Sequence, residues 1–414
     1  MIRILDSSAA ADLLVRKSAR FAEAEAVVRP IIEDVRAKGD AALFRYARDL
    51  DRFARDRFEV TQSELNEALA QVSAPFIAAV RVAEKNIRSF AETQLPLERS
   101  AEIASGVRVG QVVRPLETIC AYVPGGRYPL PSTLLMSVIP AQVAGVPNIC
   151  VATPKATPEI LATAALLGGV RVFTLGGAHA IAAFAFGTAT VPKADRIVGP
   201  GNVYVSAAKK LLAGEVGIDF VAGPTEIVII SEDGNPGWIA ADMLAQAEHD
   251  PEASAILLTT SATLVDAVAR EVEKQMATLS TSAVARQAIE RNSAIVIVKS
   301  TGEAIAISNR FAPEHLSIHD VSLLPKIQNA GSIFIGAMSA EAAGDYATGP
   351  NHILPTSGAA RVRGGLSSAD FVKVISTQAL SREGLLQLAP TVTTLARAEG
   401  LEAHARSVEA RING

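Results

Sequence analysis

The chain has 414 residues, of which 49% are hydrophobic and 20% charged, and this composition argues against an intrinsically disordered protein. A chain of this length exceeds one comfortable core and predicts two or more domains. The net charge of −4 offers no basic field for a phosphate backbone, which argues against nucleic-acid binding.

The amino-terminal residues 1–21 mix charged side chains with short apolar runs, a pattern unlike a secretory signal. The least charged stretch, Val172–Pro192, suits a strand, turn and helix better than a membrane span. Cys120 and Cys150 are too few for a disulfide framework and indicate a reducing compartment. We therefore expect a cytoplasmic protein with neither membrane nor nucleic-acid partners.

Apolar residues recur at helical spacing in two early stretches, Phe21–Asp51 and Thr61–Leu95. Short β-branched runs then alternate with helical patterns. The candidate strands are Thr118–Val123, Ile149–Ala152, Arg171–Thr174, Arg196–Val198, Glu226–Ser231, Ala255–Thr259, Ser293–Val298 and Gly331–Ile335. The candidate helices between them are Ser132–Val143, Pro158–Leu167, Val203–Leu212, Gly237–Ala247 and Leu264–Leu279. Because parallel strands need crossover connections, this alternation predicts an α/β fold with mainly parallel sheets.

Turn-rich motifs divide the chain into units. Residues 121–225 form one α/β unit, which opens with Tyr122–Gly126 and closes with Ala222–Thr225. A second unit is expected from residues 226–365, combined with residues 21–120. Residues 1–20 and 366–414 are predicted to form helical extensions at the two ends.

Two polar residues close a predicted helix. Asn235 and Pro236 are typical of a helix start, and Gln246 and His249 lie three residues apart near its end, on one face. Two ligands at this spacing can bind one metal ion. A solvated helix end, with His249 facing the helix dipole, is the simpler explanation of this pair when it is taken alone.

Glu314 and His315 are adjacent, so their side chains point in different directions and cannot both be simple ligands of one metal. A carboxylate beside an imidazole suits general base catalysis. A structural turn after Pro313 is the alternative.

Further polar residues follow in the Gly/Pro-rich stretch that contains Asp345 and His352, which suits metal binding or turn capping. His404 lies with Glu399 in a charged helical pattern that is typical of a solvated face. His179 and His319 are weaker signals.

Glycine pairs at Gly176–Gly177 and in Gly199–Asn202 can bring the backbone close to a phosphate. The chain nevertheless has no Gly-x-Gly-x-x-Gly, no P-loop, no zincin helix motif and no Gly-x-Ser-x-Gly elbow. Taken alone, the residues indicate an α/β enzyme that is compatible with zinc.

In their joint order and spacing, the motifs resemble those of histidinol dehydrogenases, over about residues 21–411. The matching landmarks are Tyr122–Gly126, Gly199–Asn202, Ala222–Glu226, Gln246–His249, Pro313–Leu316, Ala343–Tyr346, Asn351–His352 and Ala403–His404.

The resemblance implies a set of site residues. It implies a zinc site of Gln246, His249, Asp345 and His404, with Glu314 and His315 as the acid/base pair. The implied substrate contacts are Thr225, Gln246, His249, His315, Asp345, His352, Glu399 and His404, and the implied NAD contacts are Tyr122, His179 and Asn202.

The resemblance also implies two incomplete Rossmann-like domains, which accounts for the missing dinucleotide fingerprint. It implies a homodimer with shared active sites, in which His404 and Glu399 of the tail, residues 366–414, reach the partner subunit. The implied reaction is the four-electron oxidation of L-histidinol through L-histidinal to L-histidine, the last step of histidine biosynthesis, with one zinc ion per subunit and two NAD in succession.

Two positions depart from the family pattern. His179 stands where the family commonly has Gln, and Thr225 where it has Ser. These changes leave open a paralogue that oxidises another small polar alcohol, such as a sulfonated diol. Glu399 favours histidinol, because a carboxylate can receive its ammonium group. A zinc-stabilised protein without catalysis is the alternative of a different class, and the adjacent Glu314 and His315 argue against it.

Overall fold

The structure is a computed structural model and describes residues 1–9, 21–125 and 129–413. Its strands, in chain order, are β1 (Arg3–Asp6), β2 (Arg99–Ala104), β3 (Val107–Pro115), β4 (Thr118–Tyr122), β5 (Asn148–Thr153), β6 (Val170–Thr174), β7 (Arg196–Val198), β8 (Gly217–Ile218), β9 (Glu226–Ile230), β10 (Ser254–Thr259), β11 (Ala294–Ile297), β12 (His315–Ile318), β13 (Ser332–Ile335) and β14 (Val372–Leu380).

Its α-helices, in chain order, are α1 (Phe21–Lys38), α2 (Asp40–Asp51), α3 (Gln62–Gln71), α4 (Ala74–Thr93), α5 (Pro131–Val143), α6 (Pro158–Leu167), α7 (Gly177–Phe186), α8 (Val203–Leu212), α9 (Pro236–Ala247), α10 (Ala262–Met276), α11 (Ser282–Asn292), α12 (Thr301–Phe311), α13 (Glu341–Tyr346), α14 (Arg382–Ala398) and α15 (Glu402–Asn413). As predicted, Asn235 caps α9, with its side chain accepting hydrogen bonds from the backbone of Gly237 and Trp238.

One sheet has five parallel strands in the order β6-β5-β4-β7-β8. The chain order reverses between β4 and β7, and in doubly wound sheets ligands bind outside the carboxyl ends of the strands at such a reversal. Strand β4 ends at Tyr122, and residues 199–202 follow β7. These two segments therefore border the expected crevice.

The early helices pack with this five-stranded sheet. Helix α1 lies against α7 and α8, α3 lies against α6, and α4 lies against α5. Val28 and Val35 of α1 join the same core cluster as Cys120 and Phe173 of the sheet. The predicted grouping of residues 21–120 with residues 226–365 differs from this packing, because the apolar faces of these helices are buried on the other sheet.

The second sheet has six parallel strands in the order β1-β11-β10-β9-β12-β13, and its chain order reverses between β9 and β12. Every residue of β9 is buried, as expected for a central strand covered on both faces. Strand β1 is an edge strand of this sheet and pairs with β11. The described part of the predicted helical segment 1–20 thus contains a strand, and residues 10–20 lie outside the described residues.

A separate compact unit comprises Gln94–Leu116 and Val372–Gly414. Its antiparallel sheet has the order β14-β3-β2, and α14 packs against α15. The prediction of a helical tail for residues 366–414 is wrong for β14, whose β-branched residues favour a strand that pairs with β3 along its whole length. Many apolar side chains of this unit are exposed, for example Val374, Ile375, Leu386 and Leu395.

The predicted α/β fold class is confirmed, with two parallel sheets covered by helices. Among the described residues, no helix combines the length and apolar character that a membrane crossing requires.

Candidate active site

The candidate catalytic residues lie at the amino edge of the six-stranded sheet. Strands β9 and β12 are parallel neighbours, and His315, the first residue of β12, pairs in register with Ile227. Thr225 and Glu314 are the residues just before these two strands. The parallel pairing therefore brings Thr225, Glu226, Glu314 and His315 together from positions about 90 residues apart in the chain.

A chain of hydrogen bonds crosses this edge. Gln246 Nε2 donates to Thr225 Oγ1 (2.5 Å), and Thr225 Oγ1 donates to Glu314 Oε2 (2.5 Å). The backbone N–H of Glu226 also donates to Glu314 Oε2 (3.0 Å). Gln246 is fully buried near the end of α9, and its Oε1 has no hydrogen-bond partner among the described residues. Glu314 is thus anchored through one oxygen.

Burial dominates the protonation of the acid/base pair. It raises the pKa of Glu314 well above its usual value, against the opposing hydrogen bonds from Thr225 and Glu226. Burial likewise lowers the pKa of His315 to about 4, while the nearby Asp345 carboxylate acts in the opposite direction. His315 is therefore neutral near pH 7, the state that a general base requires.

His315 lies between two oxygen atoms. Its Nδ1 is 3.3 Å from the carbonyl oxygen of Glu226, which can only accept, so Nδ1 carries the hydrogen of the neutral ring. Nδ1 is also 3.7 Å from Glu314 Oε2. On the other side, Nε2 is 3.6 Å from Oε1 of Glu341, a buried carboxyl group at the start of α13.

Glu341 escaped the sequence reasoning. The available signal was its position four residues before Asp345, which places both side chains on one face of a helix. The prediction considered only the Gly/Pro-rich stretch that contains Asp345 and His352, so the spacing from Glu341 was not used. Ligand atoms of His315, Glu341 and Asp345 all lie within 4.8 Å of one another, close enough for one metal ion.

The predicted metal residues come from two elements that meet. His249 follows the end of α9, and its Nε2 is 3.8 Å from Asp345 Oδ2 on α13. Gln246 lies one turn earlier on α9. The structure thus brings three of the four predicted ligands to the amino edge. His404, the fourth, is an exposed residue of α15 in the separate compact unit, as is Glu399 after α14.

His352 joins the two sheets. Its Nδ1 is 2.8 Å from the carbonyl oxygen of Asp345, and its Nε2 is 3.3 Å from Thr133 Oγ1 in the first turn of α5. The adjacent Asn351 donates from Nδ2 to the carbonyl oxygen of Met136 (2.6 Å). Because α5 follows β4, these bonds tie the catalytic edge to the carboxyl end of the five-stranded sheet.

A cavity of about 350 Å³ opens beside these residues. Its polar lining includes His315, Asp345 and His352, and its apolar lining includes Phe334 and Leu354. No lysine or arginine among the described residues lines it. A cavity of this size suits a small polar molecule.

The predicted cofactor residues lie at the carboxyl edge of the five-stranded sheet. Tyr122 ends β4, and its hydroxyl oxygen accepts a hydrogen bond from the backbone N–H of Gly177 (3.1 Å). Asn202 caps α8 through its Oδ1, which accepts from the N–H groups of Tyr204 and Val205. Gly199 has φ +108°, and a Cβ there would lie 2.2 Å from the carbonyl oxygen of Tyr122. This close approach requires glycine.

His179 lies inside the core beneath this edge. It is fully buried, and its Nε2 is 3.0 Å from Asp51 Oδ2. The same Asp51 oxygen accepts a hydrogen bond from the backbone N–H of Gly176 (3.0 Å). His179 Nδ1 has no partner among the described residues. The carboxylate of Asp51 therefore links the His179 side chain to the backbone at the start of α7.

Comparison with known proteins gives consistent matches. A family model described as histidinol dehydrogenase matches residues 14–412. The chain is 46% identical to the histidinol dehydrogenase of Geobacter metallireducens, over 98% of this chain and 95% of that protein. It is 44% identical to the one of Methanosarcina mazei, over 98% and 96%. The crystal structure of histidinol dehydrogenase from Elizabethkingia anophelis superposes with a TM-score of 0.94 at 38% identity, covering 100% of this chain and 98% of that chain.

Proposed function

The chain belongs to the histidinol dehydrogenase family, and from that premise we propose that it oxidises L-histidinol through L-histidinal to L-histidine with zinc and NAD. The observation that carries the proposal is the amino-edge cluster, in which a neutral buried imidazole, His315, lies beside an anchored carboxyl group, Glu314, and a cavity. General base catalysis needs this arrangement.

The residues at the amino edge fit a zinc ion. His249 and Asp345 supply an imidazole and a carboxylate 3.8 Å apart, and the buried Oε1 of Gln246 lacks a partner among the described residues. These three side chains would hold the metal, with His404 of the partner subunit as the fourth ligand. Zinc, when bound, supplies a Lewis-acidic anchor for the nitrogens of the substrate.

The carboxyl edge of the five-stranded sheet fits a dinucleotide. The glycine at position 199 allows close backbone approach, and the amino end of α8 offers its positive dipole to a phosphate. Tyr122, His179 and Asn202 border or underlie this edge and would position NAD. NAD, when bound, accepts a hydride from the substrate carbon in each of two successive oxidations.

His315 acts in the first oxidation. Its Nε2 lone pair takes the proton of the substrate hydroxyl as the hydride leaves the same carbon, which yields the aldehyde. The Nδ1–H remains directed at the carbonyl oxygen of Glu226 and holds the ring in place. A positioned base of this kind contributes roughly 10²- to 10⁴-fold to the rate.

Glu314 acts between the two oxidations. One of its oxygens accepts hydrogen bonds from Thr225 and from the backbone of Glu226, which favour the carboxylate against the burial that raises its pKa, and the other oxygen is left to activate a water molecule. Addition of that water to the aldehyde gives a hydrate, and loss of a second hydride and proton gives the carboxylate. Thr225 thus orients the general base, a role for which its hydroxyl suffices, as Ser would.

The dimer is proposed from the compact unit that carries the tail. Its exposed apolar residues, such as Val374 and Leu395, offer a surface for a second copy of the chain. We propose that His404 and Glu399 complete the partner's active site, with Glu399 receiving the substrate's ammonium group. The two cysteines are buried free thiols, in keeping with the cytoplasmic location that we also propose.

A sulfonated alcohol fits the site less well. Carboxyl groups of Asp242, Glu314, Glu341 and Asp345 lie in or around it, and no described lysine or arginine lines the cavity. An anionic sulfonate would therefore find no cationic side chain among the described residues to pair with in this cavity, whereas the carboxyl groups can accept hydrogen bonds from an ammonium group. A zinc-binding protein without catalysis would need no buried base beside its metal residues.

The direct test is NADH formation from L-histidinol by the purified protein. We expect two NADH per substrate, loss of turnover with a chelator and recovery with zinc. Size-exclusion chromatography with light scattering tests the dimer. Zinc binding without turnover on L-histidinol or on a panel of other alcohols would contradict the proposed function.

A further inference from the structure

Glu341 is a buried carboxyl group without a hydrogen-bond partner. Its side chain is 1% exposed, and neither Oε1 nor Oε2 has a partner among the described residues. An unpaired carboxyl group in a protein interior costs free energy. A neutral residue of similar volume would remove that cost, so the position calls for an explanation beyond packing.

Nε2 of His315 lies 3.6 Å from Glu341 Oε1. This nitrogen is also buried and without a partner among the described residues. On the opposite side of the ring, Nδ1 faces the carbonyl oxygen of Glu226. The imidazole therefore has an acceptor oxygen on each side.

We propose that Glu341 is a positioning residue for His315, which orients the ring and stabilises its protonated form. When His315 takes the hydroxyl proton, both N–H groups face an oxygen, with Nδ1–H toward Glu226 and Nε2–H toward Glu341. Glu341 does not line the cavity, so it acts through His315.

The location of Glu341 on α13 supports a role in the reaction. Helix α13 carries Glu341 at its first residue and Asp345 one turn later, so one short helix brings a metal residue and the partner of His315 to the site together. Phe334 lies beside the His315 ring, with 6.0 Å between ring centroids, and limits sideways movement of the imidazole.

A competing role is metal ligation. Ligand atoms of Glu341, His315 and Asp345 lie within 4.8 Å of one another, so a metal ion could bind Glu341 directly. The two roles differ in what a substitution changes. Loss of a ligand lowers zinc content, whereas loss of a positioning residue lowers kcat at full zinc content.

The test compares the E341Q variant with wild type. Gln keeps the volume and removes the charge. We expect kcat with L-histidinol to fall about 10- to 100-fold, the effect typical of groups that orient an active-site residue. Zinc content and the KM values for L-histidinol and NAD should stay near wild type. Glu232→Gln is the matched control, because Glu232 lies beyond the opposite end of β9 and bonds to Thr260 and Thr301; its kcat should not change.

A double-mutant cycle with His315→Asn tests whether the effect of Glu341 on kcat depends on His315. If Glu341 works through His315, the E341Q change adds no further loss of kcat in the H315N background. E341D keeps a carboxylate and should retain more kcat than E341Q. Should E341Q not fold, E341D with reduced kcat and full zinc content supports the proposal.

Three results would overturn the proposal. The first is a wild-type kcat in E341Q or, where E341Q does not fold, in E341D. The second is loss of zinc from E341Q, and the third is that E341Q lowers kcat by the same factor in the H315N background as in wild type. The inference rests on the proposed function, which fails separately if wild type itself does not turn over L-histidinol. The ratio of kcat in E341Q to kcat in wild type is measured only with a substrate that wild type oxidises.

Discussion

The two parallel sheets place their candidate site residues at opposite edges. The five-stranded sheet offers the carboxyl ends of β4 and β7 to the proposed cofactor, as doubly wound sheets do. The six-stranded sheet carries its candidate catalytic residues at the amino ends of β9 and β12. The bonds from His352 to Thr133 and from Asn351 to Met136 tie these two edges together. A reaction between cofactor and substrate therefore draws on one edge of each sheet.

The edges also differ in what they are made of. The cofactor edge is shaped by backbone, with Gly199 held by Lys209 and Asp219 and with Asn202 spent on capping a helix. Among the described residues, the catalytic edge has buried side-chain atoms without partners on Gln246, His315 and Glu341; beneath the cofactor edge, Nδ1 of His179 also lacks one. Backbone contacts suit a ligand that must bind and leave, and unpaired polar atoms suit a substrate and a metal. The following predictions test this contrast.

The largest expected effect is at the catalytic edge. His315→Asn removes the proposed base, and kcat should fall roughly 10²- to 10⁴-fold. Zinc content and NAD affinity should remain, because the metal residues and the other edge are untouched. Steady-state kinetics, metal analysis and cofactor titration check this. A wild-type kcat in H315N would contradict the role of His315.

Lys209→Met should have the next largest effect, on stability. Lys209 and Asp219 form a buried ion pair, Lys209 Nζ donates to the carbonyl oxygen of Gly199 (3.0 Å), and Gly199 N–H donates to Asp219 Oδ2 (2.7 Å). Removing one partner of a buried pair costs roughly 3–5 kcal/mol. Urea denaturation measures the loss. Lys210→Met, which breaks an exposed pair with Glu25, is the control and should change little.

Gly199→Ala should have a smaller effect, centred on the cofactor edge. The new Cβ meets the carbonyl oxygen of Tyr122, and φ +108° is strained for Ala. We expect a loss of about 1–3 kcal/mol in the free energy of unfolding and a raised KM for NAD. Gly145→Ala is the matched control, since its φ is also positive but open space surrounds it. Equal changes in the KM for NAD in both variants would contradict the proposal that Gly199 shapes the cofactor edge.

His179→Gln should have the smallest effect. Gln offers an N–H donor that can replace His179 Nε2 at Asp51, so the start of α7 should stay in place. We expect kcat to be unchanged and the KM for NAD to shift only within about fivefold, or roughly 1 kcal/mol. Kinetics at varied NAD concentration decide it. A collapse of kcat would show that His179 serves chemistry and not cofactor positioning.

Local patterns predicted much of the molecule. Runs of apolar, β-branched residues predict strands that are buried on both faces, and capping residues such as Asn235 predict where helices start. The antiparallel unit was missed, because β2 and β14 are largely exposed and carry no apolar run of that kind. The packing of residues 21–93 depends on which of the two sheets the apolar faces of these helices contact. No local sequence pattern predicts that contact.

The candidate site was predictable where its residues are neighbours in the sequence, and not where the contacts join elements that are distant in the sequence. Glu314 and His315 are adjacent in the chain, so their pairing was visible. The contact of His315 with Glu341 depends on how β12 lies against α13, and the burial of His179 depends on Asp51 from a distant helix. Such contacts arise only from the tertiary structure.

The pairing of β1 with β11 has a consequence for biogenesis. Arg3 lies beside Ala294, so β1 precedes its partner by about 290 residues. At ribosomal rates, roughly 15–60 seconds separate the synthesis of the two strands. During that interval β1 has no sheet to join, and until it docks β11 is an open edge that another nascent chain could pair with. The amino-terminal strand therefore joins the sheet late and, once docked, covers β11 and becomes the edge strand itself.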